Sequence, residues 1–112
     1  MIEATIIEYL NNADLSATVY GEQPANKPSE FYVIEKTGGG LTNHIPQSTF
    51  AVQSYAPSRY KASMMNDEIK AAMLDLITLD DVSSVELNSD YDYTDTASKT
   101  YRYQAVFVVT HY

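Results

Sequence analysis

Val85, Leu87, Ser89, Tyr91 and Tyr93 alternate with Ser84, Glu86, Asn88, Asp90 and Asp92. Further on, Tyr101, Tyr103, Ala105, Phe107 and Val109 alternate with Arg102, Gln104, Val106, Val108 and Thr110. A period of two sends successive side chains to opposite faces of a strand, so these segments predict a long β-hairpin. Its first strand carries an apolar and aromatic face and an acidic face. A turn near Thr96-Ala97-Ser98 sets Val85 against Val109, Leu87 against Phe107, Tyr91 against Tyr103 and Tyr93 against Tyr101, with Asp92 facing Arg102. Each such pair is worth about 0.2–1 kcal/mol. A one-residue slip would send Leu87 and Phe107 to opposite faces, so burial selects the register.

Upstream, Ile2, Ile6, Ile7 and Leu10 share one face of a short helix over residues 1 to about 12, with Glu3, Glu8, Asn11 and Asn12 outward. Residues 17–22 read as a strand with Val19 inward. Pro24 and Pro28 make residues 23–30 a connector. Residues 31–37 are β-rich, Gly38-Gly39-Gly40 breaks them, and a long hairpin loop runs to Pro46 before a strand returns over residues 47–55. Ser58 is the expected cap of a second helix over about Arg59 to Ile77. Its Ala62, Met65, Ile69, Ala72, Met73 and Leu76 form the stripe that packs on the sheet. Tyr60, Met64, Ala71 and Leu74 widen that stripe beyond what a small sheet covers, so the helix is either buried over most of its circumference or keeps a second face for a neighbouring subunit. The expected fold class is α+β, in the order α-β-β-β-α-β-β. It has a mainly antiparallel sheet of about five strands and two helices packed on one face.

The 112 residues form one domain. Seven Lys and Arg stand against 15 Asp and Glu, a net charge of −8, which argues against gripping nucleic acid or an anionic membrane surface. The absence of cysteine excludes disulfides, thiolate chemistry and Cys-type zinc sites. Met1–Glu8 has neither the basic region nor the apolar run of a signal peptide, and no segment approaches the roughly 20 apolar residues of a spanning helix.

No chemical constellation stands out. Gly38-Gly39-Gly40 follows a strand, but no Gly-Lys-Ser/Thr comes after it and no helix begins there, so it reads as a flexible hairpin tip rather than a phosphate cradle. A tip of this kind, with Lys36 before it and His44 within it, is a candidate assembly loop that orders on a partner. Asp90, Asp92 and Asp95 cluster, but a calcium loop counted from Asp90 lacks its glycine at Asp95 and its glutamate at Tyr101, which leaves a solvated acidic face. His44 and His111 have no serine or carboxylate at a useful spacing. The ten tyrosines supply apolar area with polar tips, the side chain favoured at protein contacts. Tyr91, Tyr93, Tyr101 and Tyr103 are the expected contact patch, joined by Tyr60, Met64 and Leu74 on the second helix. Such a patch also suits a monomeric acidic module that binds a peptide or small ligand.

Four stretches resemble small tail proteins of phages and prophages of Gram-positive bacteria. They are Val33-Ile34-Glu35-Lys36-Thr37-Gly38-Gly39-Gly40, Phe50-Ala51-Val52-Gln53-Ser54-Tyr55-Ala56, Leu87-Asn88-Ser89-Asp90-Tyr91-Asp92-Tyr93-Thr94 and Tyr101-Arg102-Tyr103-Gln104-Ala105-Val106-Phe107. The Val-Gln-Ser-Tyr strand, an Ala-containing helix and a closing hairpin are together similar to the tail terminator, or tail completion, proteins of long, flexible-tailed phages. Neck, head-completion and minor capsid proteins are of similar size. The resemblance implies a virion protein assembled in the host cytoplasm, with an α/β fold and a ring of usually six subunits that can be monomeric before assembly. Such a ring caps the tail tube, stops its growth and docks the head connector, and DNA passes through its lumen without specific binding. It implies no catalytic residue, no cofactor, no metal and no membrane. An acidic wall would let DNA slide, and the acidic strand face would then point into the lumen.

Overall fold

Ile6 and Leu10 lie one helical turn apart and are both fully buried, which anchors the first helix, α1 (Ile2–Asn11). The computed structural model describes residues 2–42 and 45–112. After α1 come β1 (Val19–Tyr20), β2 (Phe31–Thr42), β3 (Ile45–Ala56), α2 (Arg59–Leu74), a 3₁₀ turn (Asp75–Thr78), β4 (Val82–Asp92) and β5 (Tyr101–His111). The sheet runs β1-β2-β3-β5-β4, antiparallel throughout except for the short β1–β2 pair. This is the expected α+β order. Ser58 caps α2 as expected, its Oγ accepting from the Lys61 N–H at 3.2 Å.

One face of the sheet carries the core. Tyr32 and Ile34 of β2, Phe50 and Val52 of β3 and Ala105, Phe107 and Val109 of β5 pack with Ile6 and Leu10 of α1 and with Ala62, Met65, Ile69 and Met73 of α2. The predicted α2 stripe is therefore buried in full. The Tyr32 hydroxyl reaches the Met65 carbonyl and the Glu68 carboxylate, both at 3.3 Å, and burial pushes its phenol above the ordinary tyrosine range. The other face holds a smaller cluster of Phe31, Val33 and Tyr55, flanked by Tyr20. Connector residues Lys27, Pro28 and Ser29 border the same small cavity as Phe31 and Tyr55, so the proline-rich segment covers that corner.

The glycine triplet does not break β2. Gly38, Gly39 and Gly40 pair with Thr49, Ser48 and Gln47, and the ladder continues to Thr42 opposite Ile45, with a bulge between Lys36 and Gly38. A strand needs only extended backbone on both sides, which glycine supplies at an entropic cost that the β3 ladder offsets. The loop expected from Gly38 to Pro46 shrinks accordingly, and His44 lies outside the described residues. β1 is shorter than residues 17–22. The helical hydrogen bonding of α2 tightens to 3₁₀ at Asp75, ahead of the expected end at Ile77.

The closing hairpin departs from simple alternation at two places, between Val82 and Ser84 and between Leu87 and Ser89. Val85 faces Val109 and Leu87 faces Phe107, as burial requires. Between Leu87 and Ser89 the register shifts by one, and Tyr91 then faces Gln104 while Asp92 faces Tyr103. The turn imposes this second register. Asp95 Oδ1 accepts from the N–H of Ala97 at 3.1 Å and of Ser98 at 3.4 Å, Lys99 takes a left-handed φ of 55°, and Asp95 pairs with Thr100. The expected pairs of Tyr91 with Tyr103 and Tyr93 with Tyr101 do not form. The bulge at Asn88 turns Asp90 and Asp92 toward α2, and Tyr91 and Tyr93 toward the open face.

Two outcomes test this architecture. Phe107→Ala is expected to lower unfolding free energy by about 3–5 kcal/mol in urea titration, because Phe107 is fully buried between both neighbouring strands and α2. Deleting Asn88 is expected to remove the bulge and keep cross-strand nuclear Overhauser effects for both Leu87 with Phe107 and Tyr91 with Gln104, because Ser89 then follows Leu87 directly in one unbroken ladder.

Candidate interaction surface on the open sheet face

Alternation from the buried positions outward sends Gln53 and Tyr55 of β3, Arg102 and Gln104 of β5, Tyr91 of β4 and Tyr93 just beyond it to the face away from the helices. They form a ribbon across the sheet. Tyr20 meets Phe31 edge-on at 6.3 Å, and Phe31 stacks on Tyr55 at 4.5 Å with the rings 7° apart. The Arg102 guanidinium lies 5.8 Å from the Tyr55 ring centre and 4.4 Å from that of Tyr93, and Tyr93 meets Tyr91 edge-on at 5.8 Å. Arg102 is held by Nε donating to the Tyr93 carbonyl at 2.8 Å and Nη1 donating to the Tyr55 hydroxyl at 3.4 Å.

A chain of hydrogen bonds runs beside the rings. Gln23 Nε2 donates to the Tyr55 hydroxyl at 2.7 Å, which donates to Gln53 Oε1 at 2.9 Å. Gln53 Nε2 donates to Gln104 Oε1 at 2.8 Å, and Gln104 Nε2 donates to the Tyr91 hydroxyl. The chain fixes its side chains, with Tyr55 buried and the glutamines and Tyr91 open to solvent. Tyr55 is 6% exposed, whereas Tyr91 and Tyr93 are each 42% exposed, so the ribbon opens toward the β4 edge. Exposed cation–π contacts are worth about 0.5–1 kcal/mol each. The fold gains little from them, while Tyr and Arg are the residues that dominate protein contacts.

The sequence-predicted residues divide between surfaces. Tyr91 and Tyr93 join the ribbon. Tyr103 packs against the main core on the opposite face, and Tyr101 is half-buried, so the four tyrosines are not one patch. Tyr60, Met64 and Leu74 stand exposed on the outer side of α2, followed by Ile77. Lys36, Gly38, Gly39 and Gly40 are exposed along β2. Arg102, Gln53 and Gln104 went unrecognised because only the β3–β5 pairing brings them together. Tyr-Arg-Tyr within a strand was the one local hint.

The acidic residues are not a bare face. Lys70 Nζ lies 3.2 Å from Asp90 and 3.3 Å from Asp67, Asn66 Nδ2 donates to Asp90 at 3.4 Å, and Arg59 Nε lies 2.9 Å from Asp92. Asp92 therefore pairs with Arg59, not with Arg102. Burial lowers the Lys70 pKa, and the bonds and charges of Asp90 and Asp67 more than offset it, for a net rise. Hydrogen bonds from the Thr94 side chain and backbone hold Asp92 below its ordinary value of 3.8, and those from Ser98 do the same for Asp95. Among the described residues no three His, Asp or Glu side chains converge as a metal site.

Folding also joins Ser48 Oγ to His111 Nε2 at 2.9 Å, a serine–histidine contact that spacing did not suggest. Ser48 is 2% exposed, so its hydroxyl offers a substrate no approach and the pair serves as a cross-strand tie. No helix among the described residues is long and apolar enough to cross a membrane. In comparisons with known proteins, neither a family model nor a curated protein matches the chain.

The depressed carboxylates generate a pH dependence. A carboxyl whose folded pKa lies below its unfolded value stabilises the fold fully above the unfolded value and ceases to do so as pH falls through the folded one. Asp92→Asn combined with Asp95→Asn is therefore expected to shrink the stability difference between neutral pH and pH about 2, read by thermal melts.

Proposed function

We propose that this chain is a virion structural protein, the tail terminator of a long, flexible-tailed phage. In this reading copies assemble as a ring, of six in the family it resembles. The ring caps the tail tube, ends its polymerisation and offers a face to the head connector at the head-proximal end of the tail. DNA passes through the lumen without specific binding. The work is contact between proteins, with no bond made or broken.

The observation that carries the assembly reading is the ribbon of Tyr20, Phe31, Tyr55, Arg102, Tyr93 and Tyr91, held by internal bonds on a sheet face with no helix over it. The exposed Tyr60, Met64 and Leu74 on α2 provide a second contact on the opposite side of the molecule. The four sequence stretches that resemble tail proteins support the tail over other assemblies, and another head–tail joining or minor capsid component would use the same surfaces. Asp90 and Asp92 pair with Lys70 and Arg59 of α2, so they offer less free charge to an acidic wall facing DNA. A second reading is the monomeric peptide-binding module. It is favoured by the cavity of about 220 Å³ beside Phe31 and Tyr55, whose wall includes Tyr101 and the connector.

Electron microscopy of tails made with and without this chain is the test. Absence is expected to give overlong or unjoined tails. Tyr93→Ala with Arg102→Ala is expected to give the same defect while costing no more than about 2 kcal/mol of fold stability, the sum of two exposed contacts. Tails of normal length and normal head joining without the chain would end the proposal.

A further inference from the structure

Alternation along β2 determines which backbone groups look outward. Tyr32 donates its N–H to the Thr18 carbonyl at 3.0 Å, on the β1 side. Ile34 and Lys36 point their N–H and C=O groups the same way, but β1 ends at Tyr20 and the chain turns aside at Gly21. Beyond the bulge, Gly38 and Gly40 face β3, which leaves Gly39 and Leu41 facing outward. From Ile34 to Thr42, then, β2 is a sheet edge with no strand among the described residues beside it. Where β1 stops, Ile7, Gly21, Ile34 and Lys36 border a cleft of about 440 Å³.

Gly38 and Gly40 have no cause inside the chain. None of the three glycines has a positive φ, a Cβ at Gly38 would sit at ordinary contact distance, a Cβ at Gly40 would meet nothing within 4 Å, and one at Gly39 would come 3.4 Å from the Gln47 carbonyl and 3.5 Å from Lys36 Cε. Glycine weakens a strand interior, and its use there marks a place where another backbone comes close. The guards on this edge are one bulge and the charges of Glu35 and Lys36 at its start, and the stretch from Thr37 to Thr42 carries none. Among the described residues, no carboxylate lies within ion-pair distance of Lys36.

We propose that β4 of a second copy of this chain lies antiparallel along the β2 edge from Ile34 to Thr42, so that copies join edge to edge in one continuous sheet. β4 is the opposite edge of the sheet, and Val85, Leu87, Asp90 and Asp92 turn their backbone groups outward from it. Three antiparallel steps separate β2 from β4, so the two edges run in opposite directions. A copy rotated about an axis along the strands keeps its directions and brings β4 to β2 in the antiparallel sense. The helices stay on one side and the aromatic ribbons on the other. On the helix side of the joined sheet, where Lys36 lies opposite Phe50, β4 presents Asp90 and Asp92, which already pair with Lys70 and Arg59 within their own copy. The contact is heterologous, and repetition closes it into a ring. This deepens the assembly reading above and rests on it for the closure alone.

The cysteine-free chain makes the test direct. Differently tagged Gly39→Cys and Leu87→Cys chains, mixed and treated with a short bismaleimide, are expected to cross-link to each other. Gly39→Pro removes an outward N–H and leaves the β3 ladder intact, so it is expected to melt close to the parent and to associate at least about tenfold more weakly in sedimentation. Cross-links only between two Gly39→Cys chains would replace the proposal with a two-fold β2–β2 contact. Unchanged association of Gly39→Pro, or no Gly39–Leu87 cross-link in assemblies that contain the chain, would overturn it. If tails prove normal without the chain but the Gly39–Leu87 cross-link forms, the tail reading fails and the edge contact stands.

Discussion

From Val85 to its turn the closing hairpin must satisfy two registers that differ by one residue, and the rest of the molecule follows from how it does so. Near Val85 and Leu87 the apolar side chains have to meet Val109 and Phe107 over the core. Near the turn, Asp95 ties down the N–H groups of Ala97 and Ser98 and closes against Thr100. Burial enforces the first arrangement and local hydrogen bonding the second, and neither can yield cheaply. One extra residue, Asn88, absorbs the mismatch. Beyond it, every side chain of β4 points to the face opposite to the one that plain alternation predicts.

That reversal makes the two faces of the sheet chemically distinct. Asp90 and Asp92 reach Lys70 and Arg59 and tie β4 to α2, so acidic groups become part of the helix layer rather than a charged surface. Tyr91 and Tyr93 arrive beside Gln104 and Arg102 and complete a ribbon that spans the sheet. Exposed ion pairs and exposed ring contacts each contribute at most about 1 kcal/mol, so neither set explains why the fold is stable. The stability resides in the layer of Phe50, Val52, Phe107, Val109, Met65 and Ile69. The ribbon is left as a preorganised surface whose side chains would lose little freedom on contact.

The edges complete this arrangement. β1 covers only the start of β2, and the glycine-bearing remainder has ladder bonds on one side alone. The molecule therefore offers a rigid aromatic face, an apolar stripe on α2 and two sheet edges of opposite direction. These are the surfaces that a repeating assembly would use, and they are spaced around the main core of the sheet and helices.

From the sequence alone came the element order, the two helices on one face, the Ser58 cap, the stripe of α2 and the Leu87–Phe107 pairing. All of these depend on periodicity and on short-range hydrogen bonding, which a single chain segment displays by itself. Tertiary structure decided the rest. The bulge at Asn88 arises from competition between a core contact and a turn, and each half of the hairpin reads as regular in isolation. The Gly38–Gly40 segment became strand because β3 supplied a ladder that compensates for poor intrinsic propensity. Arg102, Gln53 and Gln104 became neighbours through the β3–β5 pairing, a contact between distant parts of the chain that no spacing of residue types encodes.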